Sequence, residues 1–141
     1  MRKEMFQRRK AGRQVKKIIL LILSMMLFAG CSSEVSKASY KQISTEEAMA
    51  MMSEETDYII LDVRTPEEFE SGHIKDAINI PNEAIGNTEI AELPNKEQLI
   101  MIYCRSGNRS KQASEKLVRL GYTNIVEFGG INTWTDELVK E

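Results

Sequence analysis

Beyond residue 30, two stretches of the chain are apolar without polar alternation, Tyr58 to Leu61 and Leu99 to Tyr103. Runs this short, closed by polar residues, predict strands buried on both faces of a parallel sheet. Weaker patterns predict three more strands: Tyr40 to Ile43, Ala77 to Ile80 stopped by Pro81, and Asn124 to Phe128. Helical patterns fall between them. Ser44, with Glu47 three places on, gives a capping signal ahead of Ala48, Met49 and Met52. Thr65-Pro66-Glu67-Glu68 opens a second helix that ends near Gly72, with proline suited to a first turn and glutamates favoured there by the helix dipole. Asn82 to Glu92 predicts a weaker helical stretch. Ala113, Leu117 and Leu120 recur at spacings of four and three, the buried face of a helix closed by Gly121. Ile131 to Val139 is expected as a final helix. Strands alternating with short helices predict an α/β domain, a parallel sheet covered on both faces. In such sheets ligands bind at the carboxyl ends of the strands, where Asp62 and Cys104 fall.

The first thirty residues change the picture of charge. Eight Lys or Arg and one Glu precede Ile18, and Ile18 to Ala29 is apolar except for Ser24. This is a secretory signal pattern, and its apolar run is shorter than the roughly 20 residues a membrane-spanning helix needs. Leu27-Phe28-Ala29-Gly30-Cys31 resembles a bacterial lipobox, which makes Cys31 the expected lipidated first residue of the mature protein; the alternative is an uncleaved anchor. The expected organisation is a lipoprotein signal peptide at 1–30, a tether at 31–39 and a folded domain at 40–141. The expected location is the extracytoplasmic face of the cell membrane. Arg8-Arg9 lacks the apolar residues a twin-arginine signal carries, so the general secretory route is expected.

The whole chain has a net charge of −2, but residues 31–141 carry 11 basic and 20 acidic side chains, a net charge of −9. A domain this acidic offers no general surface for nucleic acid. With Cys31 lipidated, Cys104 is the sole thiol left, so no internal disulfide and no dithiol mechanism is expected. One histidine and one usable cysteine do not assemble a metal site, and no cofactor is expected.

Against that acidic background, Cys104-Arg105-Ser106-Gly107-Asn108-Arg109-Ser110 concentrates positive charge between a buried strand and a helix. A cysteine at such a junction lies in the positive field of the helix N-terminus, and thiolate is the nucleophilic form. The loop therefore reads as a site for attack on an anionic substrate, with Cys104 as nucleophile.

Cys104-x-x-Gly107-x-Arg109 after a hydrophobic strand resembles the active-site loop of the rhodaneses, sulfurtransferases that carry sulfur as a cysteine persulfide. Leu61-Asp62-Val63-Arg64, Gly72-His73-Ile74 with Ala77-Ile78-Asn79-Ile80-Pro81, and Gly129-Gly130-Ile131 with Trp134 match the same family in order. Two departures are visible. Lys75-Asp76 stands where a proline-glycine turn is usual, and the chain stops soon after Trp134. The resemblance implies a rhodanese-like fold, a five-stranded, mainly parallel sheet with helices on both faces. It implies that the backbone of Arg105, Ser106, Gly107, Asn108 and Arg109 cradles a persulfide on Cys104. The implied partners are a small sulfur-containing anion and a thiol or cyanide acceptor, with a monomer expected.

Arg109 is expected to fix the loop or attract the anion, at a solvent-facing loop end, while Arg105 either steers anions or points to water. His73 is expected to be a hydrogen-bonded structural residue, Asp62 and Arg64 a structural pair, and Trp134 packing for the last helix. Two other functions compete with sulfur transfer. Tyrosine phosphatases have five residues between cysteine and arginine, and four stand here, which makes a tighter nest suited to one sulfur atom. A non-enzymatic module that binds sulfur or a partner is the other alternative.

Overall fold

The computed structural model describes residues 39–140; the expected signal peptide, Cys31 and nearly all of the tether lie outside them. The elements in chain order are β1 (Lys41–Gln42), α1 (Thr45–Glu54), β2 (Tyr58–Asp62), α2 (Pro66–Ser71), β3 (Ile78–Asn79), β4 (Leu99–Cys104), α3 (Asn108–Arg119) and β5 (Ile125–Gly130). A short 3-10 turn follows at Ile131–Thr133. The strands form one sheet in the order β1-β5-β4-β2-β3, and every pairing is parallel. Both unalternating apolar runs, β2 and β4, lie inside it, as their composition requires.

Period-two alternation sorts the core into two layers. Leu61, Val63, Ile100, Ile102 and Cys104 face α3, where Ala113 and Leu117 cover them. Ile60, Met101, Tyr103 and Phe128 face the other way, toward Ala48 of α1 and Ile74. Cys104 is thus the last residue of the central strand, on the face that α3 covers. The first two helices are held at their starts by capping boxes. Ser44 exchanges hydrogen bonds with Glu47, and Thr65 does so with Glu68. The second box gives Glu68 a fixed position, which matters for the site.

Two expected helices do not form. Residues 82–92 make only turns, since Ile85, Ile90 and Leu93 pack onto the core without a helical ladder. After the 3-10 turn the chain runs out as irregular backbone, and Val139 pairs antiparallel with His73 through reciprocal bonds of 2.9 Å. The tail is recruited by a tertiary partner, which its local pattern does not encode. At Lys75-Asp76, Asp76 takes a φ of 64°. Aspartate is among the few side chains that tolerate this left-handed geometry, so the turn survives without glycine.

Candidate functional site

The Cys104 loop is shaped from both ends. Gly107 takes a φ of 99°, a conformation costly for any residue with a Cβ, and it caps α3 with no side-chain hydrogen bond. The first amides of α3 are left to the loop. The Gly107 N–H points at the Cys104 sulfur at 3.1 Å, and the Ser110 hydroxyl lies 3.5 Å from it. Burial pushes the Cys104 thiol up; the Ser110 hydroxyl and the amides of Ser110, Ser106 and Gly107 outweigh it, so the thiol ionises below its ordinary value. The sulfur is buried, while Arg105, Ser106 and Asn108 are exposed around the loop.

The outer support comes from β5. Ile102 pairs with Glu127 but Cys104 pairs with Gly130, so β5 carries an extra residue, a bulge beside the loop. The bulge brings Gly130 flat against the loop. A Cβ there would run into the Arg105 carbonyl and stand 2.7 Å from Ser106 Cα. Glycine at 130 is therefore a condition for this loop to close.

Arg109 differs from its expected setting. It is half-buried and forks onto Glu68 of α2, with Nη1 at 2.6 Å and Nη2 at 2.9 Å from the two carboxylate oxygens. The pair joins α2 to α3 at the carboxyl edge of the adjacent strands β2 and β4. Arg109 thus fixes the loop's helix, and its positive charge still acts on Cys104. In return it holds the Glu68 carboxyl down to about 2.

The supporting residues behave as the sequence indicates. Arg64 forks onto Asp62, with its closest contact at 2.6 Å, and also donates to the Gly72 carbonyl; both side chains are buried. His73 stacks on Phe69 and bonds the Phe69 carbonyl through Nδ1 at 2.9 Å, a structural role. Trp134 packs on Phe128, with ring centroids 6.2 Å apart, although no helix holds it. Two residues had been given no role in the site. Ser110 and Glu127 are both buried, and their side chains meet at 2.6 Å behind the sulfur. A glutamate in the otherwise apolar Ile125-Val126-Glu127-Phe128 was the available signal.

Fold and loop together define a parallel α/β domain that presents one cysteine at the carboxyl edge of its central strand. Residues 44–137 match the rhodanese-like domain, and the chain belongs to that family. It is 37% identical over 71 residues to the thiosulfate sulfurtransferase PspE of Escherichia coli, covering 50% of this chain and 68% of that protein. A sulfurtransferase of Allochromatium vinosum is 36% identical over 94 residues, covering 66% and 86%. Among solved structures, a rhodanese-like domain protein from Staphylococcus aureus aligns with a TM-score of 0.61 at 33% identity, covering 72% of this chain and 98% of that one.

Proposed function

We propose that the domain is a sulfurtransferase that moves a sulfane sulfur from thiosulfate, or a related anionic donor, to a thiophilic acceptor through a persulfide on Cys104. The Cys104 thiolate attacks the outer sulfur of the donor, the S–S bond of thiosulfate breaks, and sulfite leaves with the electron pair. The persulfide then gives its outer sulfur to a thiol or cyanide, and the thiolate is regenerated. The observation that carries the reading is the lowered thiol held by the Gly107 amide in a four-residue loop with arginines beside it. Backbone donors aimed at sulfur stabilise negative charge without a protein base on the leaving group. Arg105, exposed at the loop, is suited to meeting the anion. The N-terminal pattern supports export and lipid attachment at Cys31, with the domain facing out from the cell membrane.

Mass spectrometry after thiosulfate treatment tests the reading. One added sulfur on Cys104, sulfite release and ping-pong kinetics with cyanide are expected, all absent in Cys104→Ser. Aryl phosphate hydrolysis in place of sulfite release would favour the phosphatase alternative, and no turnover with no persulfide would favour a binding module.

A further inference from the structure

The two arginines of the loop stand in different electrical states. Arg105 is exposed and takes part in none of the ion pairs among the described residues, which are Arg64–Asp62, Lys96–Glu89 and Arg109–Glu68. Arg109, in the first turn of α3, forks onto Glu68 with Nη1 at 2.6 Å and Nη2 at 2.9 Å. Glu68 is itself held in place. The Thr65 N–H donates to its Oε2 at 3.2 Å, and the Glu68 N–H returns a bond to Thr65 Oγ1 at 3.3 Å. A carboxylate tied to the start of α2 in this way does not follow the guanidinium outward. Arg109 gives up both bonds if it turns to a bound anion.

Charge counting then separates activation of the sulfur from attraction of the substrate. Burial opposes ionisation of Cys104, and what overcomes it is the Ser110 hydroxyl and the amides of Ser110, Ser106 and Gly107, all of them uncharged. Attraction of an anion over distance needs net charge, and a closely paired guanidinium and carboxylate supply almost none. Glu68 keeps its negative charge at neutral pH, because the Arg109 bonds hold its carboxyl down to about 2. A second carboxylate, Glu83, also bears on Arg109, though no ion pair joins them. Glu127, behind the sulfur, is bonded to Ser110 and the Gly129 N–H and is common to every protein compared below. Arg105 is left as the unpaired cation of the loop.

We propose that Glu68 is a specificity residue of the transfer: by neutralising Arg109 it leaves the loop with one unpaired cation, and so narrows the advantage of a doubly charged donor such as thiosulfate over a singly charged one such as a thiosulfonate. Glu68 touches no substrate in this scheme. It is a positioning residue that acts through Arg109, and the scheme rests on Cys104 being the nucleophile of the proposed transfer.

Alkylation of Cys104 by iodoacetate, an anion, and by iodoacetamide, which is neutral, reads the charge at the sulfur in the full chain, by mass on the Cys104 peptide. Both reagents need the thiolate, so their rate ratio is blind to a change in the thiol's own ionisation. Glu68→Gln should raise the iodoacetate-to-iodoacetamide ratio about twofold, the effect of one unit charge across a partly wet site, and Arg109→Gln should lower it about twofold. The double variant again holds a neutral pair and should return to the wild-type ratio, whereas a merely structural pair would slow both reagents alike. Salt at about 1 M should flatten these differences. The rate of persulfide formation from thiosulfate relative to benzenethiosulfonate should rise about twofold in Glu68→Gln, since the two donors differ by one charge. A ratio unchanged or lowered in Glu68→Gln, or a double variant that stays with Arg109→Gln, overturns the proposal. If Glu68→Gln does not fold, Arg109→Gln carries the same decision, and an alkylation ratio that does not fall overturns it. Added sulfur with unmoved ratios sinks the charge control and leaves the transferase. Alkylation ratios that move as stated, with no added sulfur from either donor, leave the charge control and sink the transferase.

Discussion

Replacing Glu68 by Gln isolates the ion pair that ties α2 to α3. The fork onto Arg109 lowers the Glu68 carboxyl from 4.5 to about 2, chiefly through the Arg109 hydrogen bonds, with burial opposing and the Thr65 amide and the arginine charges helping. Taken whole, a shift of that size corresponds to about 3 kcal/mol. The partners are 26% and 30% exposed, so water and salt screen the pair, and about 1 kcal/mol is the expected loss at neutral pH. The sign follows from the depressed folded-state value. The contribution is full above the unfolded-state pKa of about 4.3, is halved near about pH 3, and vanishes below about pH 2. Urea unfolding of both proteins from pH 7 downward reads this directly. The stability gap between wild type and Glu68→Gln should shrink through that window, because only the wild type has a carboxylate to protonate. It should also shrink in 1 M salt, where screening acts within about 3 Å. A gap that stays constant with pH would refute the electrostatic account and leave only a packing difference.

Gly130→Ala should cost about 1–3 kcal/mol of stability by urea unfolding and cut persulfide formation at least about tenfold, since the new methyl meets loop backbone that cannot rotate away. Gly129→Ala, where nothing stands within 4 Å, should cost only the strain of its φ of 87°, about 1 kcal/mol, and spare the loop more. Arg64→Ala strands the fully buried Asp62 carboxylate and should cost about 3–5 kcal/mol by denaturant unfolding. Cys31→Ser should remove lipid and shift the protein out of the detergent phase, with mass as the second check; unchanged partitioning would point to an uncleaved anchor.

Much of this domain was decided locally and can be read from the chain. Tyr58 to Leu61 and Leu99 to Tyr103 have nowhere to go but the middle of a sheet, because no face of either run tolerates water. The Ser44 box depends on residues three apart, and the Cys104 loop on a strand ending where a helix begins, so both survive without knowledge of the rest. The family motifs fixed the order of the pieces. What the sequence could not supply were contacts between distant positions. Arg109 read as a solvent-facing residue that fixes the loop or attracts the anion, with no partner named, because Glu68, 41 positions earlier, is brought to it only when α2 and α3 flank neighbouring strands. Val139 read as helical because its partner, His73, lies far back along the chain. Glu127 read as one polar residue in a strand, and a bulge in β5, set by the pairing of Cys104 with Gly130, places it behind the sulfur. Local pattern determines which elements form, since burial and capping act over a few residues. Which charges meet and which carboxyl lies beside the nucleophile are decided by register and layer packing, which exist only in the folded sheet.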